Sequence, residues 1–202
     1  RVRQDAAATT MADTREVQLT GEGFFEVAHV AGHPFVIHTR HGMITQLGTA
    51  FDVRAYREEE RTQVVVTEGR GDLRPRGDAA LAARAPKPVV LAAGDFAVMA
   101  PGGVTNLRHG VDASRYTAWT KGQLRYQDAP LSQVIADLQR WYDVKIELGD
   151  STFANYRLTA SLRGGSVAEA MDVVTKSLDL RAVRRGHTVR IVGKNAQPSQ
   201  RP

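Results

Sequence analysis

Between Val17 and Met99 the apolar residues fall into short runs at positions 24–27, 35–37, 51–53, 64–66, 89–91 and 96–99. Runs of this length, rich in β-branched and aromatic side chains, predict strands. Glycines punctuate them at Gly21, Gly23, Gly32, Gly42, Gly69, Gly94 and Gly102-Gly103, where tight turns need backbone angles that other residues avoid. Residues 1–112 are therefore expected to form an all-β domain, either stacked hairpins in a solenoid-like array or a sandwich. Positions 74–88, rich in Ala, Pro, Arg and Gly without an apolar face, read as an exposed loop between two of its strands.

The period then changes. Positions 106–112 lack an apolar pattern, after which Leu131, Val134, Ile135, Leu138 and Trp141 recur at helical spacing, with Asp128 and Pro130 as start signals. A second helix is predicted by Val167, Ala170, Met171, Val174 and Leu178, opened by Ser166 with Glu169 three residues on, the pairing of a capping box. Strand-like runs at 123–126, 144–148, 156–160, 180–183 and 188–192 complete a β-α-β-β-α-β-β order over residues 113–194, a small α/β module with its helices expected on one sheet. The polar residues 195–202 are expected to fray.

Hydrophobic residues make up 42% and charged ones 24% of the 202 residues, enough to bury a core, so the chain should fold. The absence of cysteine excludes disulfides, thiolate metal sites and a cysteine nucleophile. No apolar run reaches the roughly 18 residues that span a bilayer, and the first residues lack the pattern of a secretion signal, so any membrane anchor is expected outside this sequence. A net charge of +5 favours acidic partners. The arginines are scattered, however, with no basic block of the kind a nucleic-acid arm shows, and a nucleic-acid binder is the weaker expectation.

The sharpest candidate for chemistry is Gly48-Thr49. A threonine hydroxyl can attack the preceding carbonyl, moving the acyl group from nitrogen to oxygen, and glycine tolerates the strained backbone this needs. The plain alternative is a glycine marking a bulge or turn before a strand. His33, His38 and His41 invite a metal reading, but an odd separation between His33 and His38 puts them on opposite faces of a strand, and no cysteine or evident carboxylate joins them. No metal and no cofactor is expected. Glu58, Glu59 and Glu60, flanked by Arg57 and Arg61, read as a solvated hairpin tip, and Arg70-Gly71-Asp72 as a turn. No dinucleotide fingerprint, phosphate loop or Gly-x-Ser-x-Gly elbow is present. Arg181, Arg184, Arg185 and Arg190 decorate the last predicted strands, where they either steer an acidic partner onto an exposed sheet edge or protect that edge from aggregation.

Several blocks carry a family resemblance: Gly21-Glu22-Gly23-Phe24-Phe25-Glu26-Val27, Pro34-Phe35-Val36-Ile37-His38-Thr39, Leu47-Gly48-Thr49-Ala50-Phe51-Asp52-Val53, Val66-Thr67-Glu68-Gly69 and Leu91-Ala92-Ala93-Gly94-Asp95, then Trp119 with Gly122-Gln123-Leu124 and Ala129-Pro130-Leu131 through Trp141-Tyr142. In this order they resemble FecR-like transmembrane anti-sigma regulators, over Val17 to about Val192. The resemblance implies a non-enzymatic periplasmic domain of a single-pass inner-membrane protein, whose terminal module looks like the short signalling domain of secretins and TonB-dependent transporters. It also implies partners: the N-terminal signalling domain of a TonB-dependent outer-membrane transporter, and an extracytoplasmic-function (ECF) sigma factor reached through a cytoplasmic segment absent from this sequence. Iron uptake is the usual context of the family, and some members are thought to split themselves at the position matching Gly48-Thr49. A rival reading is a periplasmic glycan-binding or glycan-hydrolysing β protein, which would need a cleft with two acids or an aromatic platform, and aromatic residues are only 6% of the chain.

Overall fold

The computed structural model describes residues 7–10, 15–46, 49–76 and 87–195. They belong to two units, Arg1–Thr120 and Lys121–Pro202. The first unit contains β1 (Ala7–Thr10), β2 (Glu16–Val27), β3 (Phe35–Thr39), β4 (Gly42–Gln46), β5 (Thr49–Ala55), β6 (Thr62–Glu68), β7 (Arg70–Pro75), β8 (Val89–Ala92), β9 (Phe96–Ala100) and β10 (Gly103–Arg108). Hydrogen-bonded neighbours run β10-β9-β6-β5-β2-β3-β4-β7-β8, with β1 on β2. The strands β8 and β9, consecutive in the chain, thus lie at or near opposite ends of this order. The short turn between them draws the two ends together and rolls the sheet nearly closed. Gly94, at φ +83°, makes that turn, and its N–H donates to the Val66 carbonyl at 2.9 Å.

The all-β class follows the apolar runs, but the strands are not simply successive hairpins. Residues 16–18 of β2 pair in parallel with β3, while residues 21–27 pair antiparallel with β5. Gly21, at φ +109°, stands where the strand changes partners. Both parts of the sheet turn one face to a shared core that includes Leu19, Ile37, Ile44, Phe51, Val64 and Leu73. Each such side chain, fully withdrawn from water, contributes about 1.5–3 kcal/mol.

Val64, Val65 and Val66 lack a polar break because both faces of β6 are covered. Val64 and Val66 enter the shared core, whereas Val65 joins Phe96 and Val98 on the opposite face, beneath Val111, Ala113 and Tyr116. The one-turn helix α1 (Ser114–Thr117) carries Tyr116, whose ring stacks on Phe96 at 5.1 Å. Just beyond, the Trp119 indole N–H donates to Asp52 Oδ2 at 2.8 Å, with both side chains buried. Residues 111–119 are thereby fastened to the β unit.

The second unit is built from β11 (Gln123–Pro130), α2 (Leu131–Tyr142), β12 (Lys145–Leu148), β13 (Arg157–Arg163), α3 (Val167–Leu178), β14 (Leu180–Arg185) and β15 (Thr188–Gly193), the order the pattern predicts. Helix α2 buries Leu131, Val134, Ile135 and Leu138. Helix α3 opens with the expected capping box: the Glu169 N–H donates to Ser166 Oγ at 3.2 Å and the Ser166 N–H to Glu169 Oε2 at 3.3 Å. The expectation of one sheet under both helices needs correction. The strands form two sheets, β11-β13 and β12-β15-β14. Helix α3 packs on β13 and β14, one from each sheet, and α2 touches β11, β12 and β13. The reason is long-range pairing: β12, which follows α2, pairs in parallel with β15 from the far end of the module, whereas β13, which precedes α3, returns to β11.

Candidate functional site

In the three-stranded sheet β15 is central and β14 lies at an edge. Leu180, Ala182 and Arg184 of β14 face the same side as Gly193, Ile191 and Val189 of β15, and buried Leu180, Ile191 and Val189 mark that side as the one packed on the helices. Arg181, Val183 and Arg185 occupy the other side, beside Val192, Arg190 and Thr188. On β12, Lys145 and Glu147 pair with Thr188 and Arg190 and complete this outward face. Three of the four arginines singled out from sequence, Arg181, Arg185 and Arg190, therefore share one surface. Arg184 does not: its Nε donates to the Gly186 carbonyl at 3.0 Å, fastening the β14–β15 turn.

Glu147 is the sole carboxylate on the outward positions of the three strands. It accepts from Lys145 Nζ at 2.7 Å, and that bond, with the Lys145 charge and then Arg190, holds its carboxyl below the usual range. One negative charge is thus shared between Lys145 and Arg190. Exposed Arg185 and Arg190 add positive charge to this face beside apolar Val183 and Val192, while Arg181 is half-buried and has interactions of its own. Such a face can attract an acidic surface, and the β14 edge can supply backbone hydrogen bonds to it.

The three histidines do not converge. His33 Nδ1 meets the Ala31 carbonyl at 3.1 Å, His38 Nε2 meets Glu16 Oε2 at 2.9 Å, and His41 is buried with its Nδ1 3.1 Å from Thr62 Oγ1. Among the described residues no group of His, Asp and Glu is arranged to hold a metal ion. The Thr62 hydroxyl donates to Thr39 Oγ1 at 3.3 Å, and Thr39 Oγ1 donates to the Gly42 carbonyl at 2.9 Å. With its proton so committed, Thr62 accepts from His41, which places the imidazole proton on Nδ1. Burial, then the charges of Arg40 and Arg76, push the His41 pKa down against a smaller opposing effect of Glu60.

Two turn assignments change. Glu58 and Glu60 are exposed, but Glu59 turns inward and accepts from Arg54 Nε at 3.1 Å. Arg54 also lies 4.0 Å from Glu22, which receives a bond from Tyr56 Oη at 3.4 Å, so the glutamate run is not simply a solvated tip. Buried Arg54 requires anionic partners, and of the run Glu58–Glu60 it is Glu59 that joins Glu22 in supplying them. Arg70-Gly71-Asp72 is not a turn but the start of β7, which pairs antiparallel with β4, and Gly69 at φ +79° only bends the chain between β6 and β7. Gly48 lies outside the described residues, as does the Thr49 side chain, although Thr49 begins β5. Asp52–Trp119 and Glu22–Arg54 were not singled out from sequence. The partners are distant in the chain, and only the alternation of polar residues with the core residues Phe51, Val53 and Ala55 hints that Asp52 and Arg54 share the opposite face.

The chain thus joins a β domain to an α/β domain whose strand β14 lies at a sheet edge. Two family models match, described as "FecR protein" over residues 1–70 and "FecR, C-terminal" over residues 123–191. The chain belongs to the FecR family. Two crystal structures of a protein described as a "putative anti-sigma factor" from Parabacteroides distasonis ATCC 8503 are similar in fold. One has a TM-score of 0.79 at 24% identity, covering 93% of this chain and 85% of that one. The other has 0.77 at 25%, covering 92% and 83%. No curated protein matches the chain. Family and fold together support the role of a regulator.

Proposed function

We propose that this chain is the periplasmic sensing part of an anti-sigma regulator, and that its second unit docks the N-terminal signalling domain of a TonB-dependent outer-membrane transporter. A transmembrane helix and a cytoplasmic segment outside this sequence would carry the message to an ECF sigma factor, in the setting of iron uptake. The observation that carries the reading is the ordered match of both FecR models, with the α/β unit presenting an open, positively charged strand edge. Relay by docking requires the transporter domain to bind two states of this chain unequally, since equal affinity shifts nothing.

The test is affinity capture with the full chain as bait from a periplasmic extract, with bound proteins identified by mass spectrometry and binding repeated with the purified candidate. Recovery of a transporter signalling domain that then binds directly supports the reading. Absence of any such domain from the bound fraction counts against it.

A further inference from the structure

The outer strands among the described residues are not equivalent. The β10 ladder shifts register between Val104 and Asn106, and strands β1, β8 and β12 span only four residues each. Bulges and brevity discourage pairing at an edge. In the β11-β13 ladder the extra residue lies on β11, where Tyr126 and Ala129 enclose two residues opposite the single Thr159. Strand β14 carries a charge, Arg184, on its helix side. Strand β13 has none of these features. It runs unbroken for seven residues, Arg157–Arg163, without proline, and its helix side holds Leu158, Ala160 and Leu162. Among the described residues its backbone bonds to β11 alone, so the N–H and C=O groups of its far edge are open to a partner.

We infer that the β13 edge takes an incoming strand of a partner protein, one with acidic residues six apart on its outward face and apolar residues on its inward face. The outward row of β13 is Arg157, Thr159, Ser161 and Arg163, all exposed, with the two arginines about 20 Å apart. Arg163 forms no ion pair with a described residue. Arg157 donates to the Asp128 carbonyl at 3.0 Å and lies 4.0 Å from its carboxylate, so Arg163 is the stronger attraction for an incoming acid. A second copy of this chain is a poor occupant. Two β13 strands paired antiparallel over their full length would set Arg157 against Arg163 at both ends, and like charges directly opposite destabilise a ladder. The same placement favours a strand with an acid at each end, whichever way it runs. On the inward side its apolar residues would extend the row of Leu158, Ala160 and Leu162 beside α3, which packs on β13. Arg185 and Arg190, on the other sheet, add attraction at longer range. This inference rests on the docking role proposed above and specifies the strand that the partner brings.

The probe is a blocked seven-residue peptide with aspartate at both ends, valine at its even positions and threonine at the other two, titrated into the full chain with backbone amide shifts followed by NMR. Its control carries the same residues with the two aspartates adjacent at the centre. Two further probes carry N-methyl groups on the odd or on the even positions. Successive N–H groups of a strand point to opposite edges, so one methylation pattern should abolish binding and the other spare it. The expected result is shift changes centred on residues 157–163, weakening with salt, and a preference for the peptide with acids at its ends. Arg163→Glu should weaken that peptide about threefold or more and favour its lysine-for-aspartate counterpart, with an unchanged circular dichroism spectrum confirming the fold. Shift changes elsewhere, no shift changes, equal response to the peptide and its control, or an equal effect of the two methylation patterns overturns the inference. Binding of the transporter domain to the Arg163→Glu chain at full strength would overturn it while leaving the docking role standing. Failure of that domain to bind the unaltered chain would remove the docking role, and the peptide titration would still decide what β13 accepts.

Discussion

Replacing Trp119 by phenylalanine deletes one hydrogen bond and leaves most of the ring in place. The indole N–H reaches Asp52 Oδ2 at 2.8 Å, with Trp119 at 8% and Asp52 at 4% exposure, so water cannot readily take the place of the lost donor. A hydrogen bond to a charged group contributes about 1.5–3 kcal/mol. Asp52 keeps other interactions, which moderates the loss, and Trp119→Phe is expected to cost about 2 kcal/mol. Asp52→Asn retains an acceptor and should cost less. Because Asn still accepts from the indole, a double-mutant cycle should report only part of the bond, a coupling of about 1 kcal/mol. The assay is urea unfolding followed by circular dichroism, with the slope compared among the four proteins so that midpoints convert to free energies. A Trp119→Phe cost below about 0.5 kcal/mol, or a coupling near zero, would refute the claim that this bond fastens residues 111–119 to the β unit.

Three further predictions come from other parts of the chain. The folded state favours neutral His41, so it binds fewer protons than the unfolded chain below the ordinary value of 6.5. The stability advantage over a His41→Gln variant should be complete above that pH and shrink as pH falls from 6.5 toward the lowered folded-state value, and a gap that stays constant in urea melts from pH 7.5 down to about pH 5 would contradict this. Asp143 caps the carboxy end of α2 in the left-handed region, at φ +49°, where its negative charge opposes the helix dipole. Asp143→Asn should raise stability by about 0.3–1 kcal/mol, and a loss in thermal unfolding would show that the carboxylate has a favourable role. For the Gly48-Thr49 bond, the purified chain should yield two fragments on a denaturing gel and Thr49→Ala one intact band, whereas intact chains from both proteins would dismiss self-cleavage.

Elements whose side chains bury by local rules were legible in the sequence. The stripes of α2 and α3 and the Ser166–Glu169 capping box depend on spacing within one helix, and the runs around Phe51 and Val64 announce their strands. Strand β7 was not legible, because in Arg70-Gly71-Asp72-Leu73-Arg74-Pro75 only Leu73 enters the apolar core and the rest resembles a loop. The parallel pairing of β2 with β3, the split of the second unit into two sheets and the Asp52–Trp119 bond depend on residues far apart in the chain. The basic last strands could be read from composition, but separating Arg184 from Arg181, Arg185 and Arg190 required the β14–β15 register.

Calorimetric titration of the full chain with a purified transporter signalling domain tests the central claim most directly. Saturable binding at one domain per chain is expected, weaker as salt rises and weaker again in the Arg185→Glu/Arg190→Glu chain. No heat of binding at any concentration short of aggregation would contradict it.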